Sequence, residues 1–150
     1  MKLKNILTRK RFVTVKLHKI NTNHFILKAT LNNVSGHFIL DTGASNSCID
    51  IALAENFKLM TKDSSTKAAG AGATGMLTKI SSNNTLAINN WVFKNFTVVL
   101  LDLNHVNTAL TEHNANAIHG IIGADILEKG EAIIDYKNQQ LYLKKLVYKY

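Results

Sequence analysis

The chain has a single cysteine, Cys48, so no intrachain disulfide can staple it, and a reducing, cytoplasmic setting is expected. No apolar run approaches the roughly 20 residues that a helix needs to cross a bilayer. The basic start, Met1 to Leu7, has an apolar run too short to predict a signal peptide. Low-complexity tracts and internal repeats are missing. So are G-x-S-x-G and H-E-x-x-H, and Cys48 has no identifiable histidine partner. Serine, metallo and cysteine hydrolase chemistry therefore has no motif to rest on.

Acid is absent from both ends. Residues 1–28 hold eight Lys/Arg and residues 137–150 four more, with no Asp or Glu in either stretch. The net charge of +8 thus divides into +12 at the ends and −4 over residues 29–136. Basic ends can attract nucleic acid or anionic surfaces. Here no aromatics alternate with the bases in a stacking array, and lysine also serves to keep strand edges from pairing, so a nucleic-acid partner is not expected.

What remains is the composition of one globular domain: 150 residues, 46% hydrophobic and 19% charged. Residues 1–11 read as a basic N-terminal extension and 12–150 as the domain. Strand patterns run from Phe12 to Ile20 and from His24 to Leu31, the second placing Phe25, Leu27, Ala29 and Leu31 on one face. Residues 32–36 are turn chemistry, and His37 to Leu40 forms the third strand of a meander. Asp50 is placed to cap a short helix over 51–57. The Gly/Ala-rich segment around 68–75 reads as a hairpin tip, because strand-like sequence flanks it without proline or a charge shift. Further strands are expected at 85–88 and 91–93 across an Asn89-Asn90 turn, at 96–103, at 131–136 and at 140–147. Residues 104–119 are open between a short helix and a loop. His105, His113 and His119 there match no zinc spacing and read as surface histidines.

Two stretches carry chemistry. In His37-Phe38-Ile39-Leu40-Asp41-Thr42-Gly43-Ala44-Ser45, an apolar strand delivers a carboxylate into a Thr-Gly turn. Burying part of a carboxylate costs stability unless local donors compensate it, which gives the residue a purpose to explain. An Asx-turn at a strand end would also suit the tripeptide. In Ala117 to Leu127, a buried strand ends at Ile121-Ile122-Gly123 and a short helix begins, with Asp125 in its first turn, Ile126 and Leu127 inward and Gly130 at its exit.

Together, D-T-G-A-S and I-I-G-A-D resemble the retropepsin-like aspartic proteases over roughly residues 12–147. The resemblance implies an all-β, closed, barrel-like acid-protease domain with a flap hairpin, a ψ loop and one or two short helices. It makes Asp41 the catalytic carboxylate and Thr42, Gly43, Ala44 and Ser45 its supporting loop. Thr42 would reach across a twofold, the Gly43 amide would hold the carboxylate, and Ser45 would contact substrate. Ile121, Ile122 and Gly123 become the strand through the ψ loop, with Asp125 a brace to nearby amides or to Thr42. Gly70, Ala71, Gly72, Ala73 and Thr74 match the flap in position, without the flap aromatic. No metal or cofactor is implied.

That chemistry needs two carboxylates sharing a proton, and this chain has one D-T-G. A C2 homodimer acting on a peptide or protein substrate is the implied solution. Like-charged termini meeting across the twofold would repel, so either the lysines splay to solvent, or they meet the acidic middle of the partner, or the dimer is weak. The alternative is an inactive, peptide-binding or structural member of the same fold.

Overall fold

The computed structural model describes residues 2–67 and 77–148, apart from the side chains of 65–67 and 77. Its elements are α1 (Leu3–Arg9), β1 (Phe12–Lys16), β2 (His18–Lys19), β3 (Phe25–Leu31), β4 (Val34–Leu40), β5 (Cys48–Asp50), β6 (Lys62–Lys67), β7 (Leu77–Ile88), β8 (Trp91–Leu101), α2 (Asn104–Glu112), β9 (Gly120–Ile122), α3 (Ala124–Lys129), β10 (Ile133–Asp135) and β11 (Gln140–Lys144). The larger sheet runs β2-β3-β4-β9-β5-β8-β7-β6, and β3 also pairs with β7. That extra pairing closes six strands, β3-β4-β9-β5-β8-β7, into a barrel, with β2 and β6 left as extensions. A second sheet, β1-β11-β10, is antiparallel throughout. Among the described residues, no helix is long and apolar enough to cross a membrane.

The all-β, barrel-like fold expected from the sequence is the one observed, with more helix than expected. Residues 3–9 are helical and lie against β1, with Leu7 buried. The undecided 104–119 segment resolves into α2 and a return loop. Asp102 Oδ1 accepts from the Asn104 amide at 2.8 Å where α2 begins. The Asn107 side chain then clamps the returning chain, donating to the Ile118 carbonyl at 3.1 Å and accepting from its amide at 2.8 Å. Conversely, the helix expected at 51–57 shrinks to a 3-10 turn at Ile51–Leu53, which Asp50 caps through the Ala52 amide. Its continuation is diverted by Asn32, whose Nδ2 donates to the Phe57 carbonyl at 2.9 Å, and by a left-handed Lys58.

The strand expected from Phe12 to Ile20 divides at Leu17. That residue is 1% exposed and its amide bonds the Gln139 carbonyl, so the chain leaves β11 there and passes to β3. The meander turn is tighter than expected. Asn32 and Asn33 alone make it, both at positive φ, and Gly36 lies within β4, where Phe57 and Phe38 crowd the place of a Cβ. With no proline and eight glycines in the chain, asparagine takes many of the left-handed positions: Asn83 and Asn95 lie at the irregular stretches of β7 and β8, and Asn89 at the turn between them.

Two apolar clusters share the strands. Phe25, Leu27, Phe38, Leu40, Ile49, Leu100 and Ile122 face one, which extends to Val15, Leu141 and Leu143 of the second sheet. Ile26, Ile39, Cys48, Leu101 and Ile121 face the other, beneath Leu110 of α2 and Ile118. Strands buried on both faces read as continuous apolar runs, and this is why Phe38-Ile39-Leu40 and Ile121-Ile122 do not alternate.

Candidate active site

The site is built where the two diagnostic stretches meet. β9 pairs in parallel with β4, Ile39 opposite Ile121 and Leu40 opposite Ile122, and antiparallel with β5 on its other side. The chain between β4 and β5, residues 41–47, must therefore arch over the end of β9. This is the ψ arrangement expected from the sequence.

Asp41 enters the arch with its amide on the Ile122 carbonyl at 3.0 Å. Its Oδ1 accepts from the Gly43 amide at 2.9 Å, as expected of a loop that compensates a carboxylate with backbone donors. The Ala44 amide returns to the Asp41 carbonyl at 3.2 Å, and the Ala44 carbonyl receives the Ala124 amide at 2.7 Å. Ala44 is buried, whereas Thr42, Gly43 and Ser45 are exposed. Gly123 is required by close approach: a Cβ there would lie 2.5 Å from the Ala44 carbonyl oxygen.

Asp125 is a brace, though not to Thr42. Both of its oxygens lie 3.0 Å from the Ser47 amide. Oδ1 also accepts from the Ser47 hydroxyl at 2.7 Å and from the Ile126 amide at 2.9 Å. The Ser47 hydroxyl in turn accepts from the Gly123 amide at 2.8 Å. Ser47, 2% exposed, is thus the link between loop, β9 and α3. Sequence reasoning passed over it for Ser45. Nothing in D-T-G-A-S-N-S distinguishes the two serines; only the fold shows which one turns inward.

Next along, Cys48 is enclosed. Burial pushes its thiol up to about 12, and the carboxylates of Asp125, Asp41 and Asp50 add to the effect. It is a packing residue rather than a nucleophile.

His105 and His113 are exposed, as expected of surface histidines, whereas His119 is not. His119 is half-buried, its Nδ1 accepting from the His37 amide at 2.9 Å and its ring edge-on to Phe57. Burial, then the neighbouring His37, lower its pKa. His105 and His113, at the two ends of α2, join His24 around an open groove of about 500 Å³ that also contains Asp41. Ile39, Ile121, Val106 and Leu110 line the same groove. The flap expected at Gly70, Ala71, Gly72, Ala73 and Thr74 lies outside the described residues. The strands on either side of it, β6 and β7, do pair, Lys67 opposite Leu77.

Comparison with solved structures finds this fold in proteins of low sequence identity. A retropepsin-like aspartic protease from Rickettsia conorii matches at 21% identity and a TM-score of 0.56, covering 89% of each chain. The retroviral protease-like domain of Ddi1 from Leishmania major matches at 19% identity and 0.51, over 81% of this chain and 93% of that one. The EIAV protease, complexed with the inhibitor HBY-793, matches at 20% identity and 0.52, over 73% and 90%. Among curated proteins, no sequence matches. The model of the aspartyl protease family matches residues 27–126, from β3 through the ψ arch to Ile126 of α3. The chain belongs to the aspartyl protease family.

Proposed function

We propose that the protein is an aspartic endopeptidase that works as a homodimer, each protomer contributing one Asp41. The observation that carries this reading is the arch. It holds the Asp41 backbone on Ile122 and one carboxylate oxygen on the Gly43 amide, and leaves the side chain facing an open groove. A carboxylate kept only for a turn has no need of a groove beside it.

Two such carboxylates about 3 Å apart cannot both ionise, so they share a proton. The charged member takes a proton from water as the water attacks the peptide carbonyl, and the protonated member donates to the developing oxyanion. Exposed Thr42, beside Asp41, borders a depression formed by Ala124, Leu127 and Glu128 of α3 and by Ile134 of β10. A second copy set against this face brings Asp41 to its twin. Glu128 and Glu131 lie on that face, and Glu131 pairs with Lys144 of its own chain at 3.8 Å. The single, buried cysteine is in keeping with a reducing, cytoplasmic setting.

The test is cleavage of a mixed peptide library between pH 4 and 7 by the wild type and by Asp41→Asn. Cleavage by the wild type, blocked by a statine-type transition-state mimic and abolished in the variant, supports the reading. Cleavage retained in Asp41→Asn overturns it. A well-folded dimer that binds peptides without cutting them would favour the inactive, peptide-binding alternative.

A further inference from the structure

α1 is amphipathic in a way that the fold does not use. Of its residues only Leu7 is buried, where the helix lies against β1. Leu3 and Ile6 stand 43% and 38% exposed. The helix carries no acid, and the stretch from Met1 to Arg11 holds five bases: Lys2, Lys4, Arg9, Lys10 and Arg11. Among the described residues, none of the five meets a carboxylate. Crowded like charges oppose the compact state, and apolar side chains left in water add nothing to it, so stability explains neither feature.

The two features share one face. At about 100° per residue, Leu3, Ile6 and Lys10 fall within about 60° of one another, and Lys2 and Arg9 flank Ile6 on the side away from Leu7. Together they make a face about 120° wide, next to the docked side of the helix and clear of it. The body holds this face in place. The chain leaves α1 through a left-handed Arg11, whose carbonyl accepts the Lys145 amide at 2.9 Å. In the second sheet β1 is one edge and β10 the other. Ile134 of β10 borders the depression assigned above to a second copy, so α1 sits at the opposite edge from that face.

We propose that this face of α1 docks the protein on an anionic lipid bilayer, Leu3 and Ile6 entering between the headgroups and Lys2, Arg9 and Lys10 meeting their phosphates. The inference stands apart from the peptidase reading. Charge complementarity calls for an anion, and the apolar pair among the bases selects lipid as its source. A nucleic acid would attract the same bases but leave Leu3 and Ile6 in water, and α1 has no aromatic side chain to stack on a base. A bilayer accepts both halves of the face at once: phosphate at the level of the bases, acyl chain beneath Leu3 and Ile6. Two apolar side chains are too few to anchor a protein by themselves, so attachment is reversible and weakens as salt screens the charges.

The experiment floats the protein with vesicles of phosphatidylcholine alone and with vesicles containing about 30% phosphatidylglycerol, at about 0.05 M and about 0.5 M salt. At low salt, partition into the anionic vesicles is expected to exceed that into the neutral ones by at least about tenfold, and at high salt to collapse. Leu3→Ser/Ile6→Ser leaves every charge in place and should lower partition at least about fivefold. Lys2→Gln/Arg9→Gln/Lys10→Gln should abolish it. Both variants keep Leu7 and alter exposed residues, so their thermal melts should match that of the wild type. Equal partition into the two kinds of vesicle, no partition into either, or undiminished binding by Leu3→Ser/Ile6→Ser overturns the proposal. Tighter binding of a single-stranded oligonucleotide than of the anionic vesicles also overturns it, and assigns the face to nucleic acid.

Discussion

The two flanks of the 41–47 arch are built on opposite principles. At its far end, Ser47, Gly123 and Asp125 form a closed set: every donor has an acceptor, and the serine is buried. At its near end, Asp41 holds one backbone amide through Oδ1, beside exposed Thr42 and Gly43 and an open groove. The closed flank fixes where the carboxylate stands. The open flank leaves it something to do. Placing a reactive group by rigid neighbours that take no part in the chemistry is how a small domain can position one side chain without burying it.

Breaking the closed flank should cost most. Gly123→Val drives a side chain into the Ala44 carbonyl, which belongs to backbone and cannot rotate away. A loss of more than about 3 kcal/mol is expected, read as a fall in the urea midpoint. A midpoint near that of wild type would mean that the arch does not grip β9 as described. Asp125→Ala comes next. It strands the Ser47 hydroxyl and amide and the Ile126 amide, for a loss of about 3 kcal/mol and a drop in activity without any direct contact to substrate.

On the open flank the sign reverses. Asp41→Asn keeps the shape of the side chain and removes a half-buried charge, so stability should hold or rise by up to about 1 kcal/mol while activity disappears. A strongly destabilised Asp41→Asn would instead assign the residue to the scaffold.

The smallest effect lies at His119, on neither flank. Its folded pKa is lowered, first by burial and then by His37, so in the unfolded chain it takes up a proton at a higher pH than in the fold. The unfolded state therefore binds more protons as pH falls through the ordinary histidine range, and stability declines. His119→Gln should flatten that acid limb between about pH 7 and 5 in a set of thermal melts. An unchanged slope would place the effect elsewhere.

How far the sequence could be read follows the same division. Strand Ile39-Leu40, the D-T-G turn, strand Ile121-Ile122 and its glycine were legible, because short-range pattern and steric need coincide in them. Asp125 was legible as a brace, but its partner was not, since Ser45 and Ser47 are alike until the arch decides which one turns inward. The histidine groove was invisible for a related reason. His24, His105 and His113 belong to a loop and to the two ends of a helix, and no spacing rule connects them. The break at Leu17 and the shortened 51–57 helix had the same cause, long-range hydrogen bonds from Gln139 and Asn32 overriding local pattern.

The central claim, that catalysis needs an Asp41 from each of two copies, is tested most directly by mixing. Wild-type protein at fixed concentration is equilibrated with increasing Asp41→Asn, and its peptidase activity is followed. Exchange into one-carboxylate heterodimers should poison the enzyme, leaving about a tenth of the activity at a ninefold excess of variant if pairing is random. Activity that stays constant across the titration, with subunit exchange confirmed by tagged copies, would contradict the account, because the second carboxylate would then have to lie in the same chain.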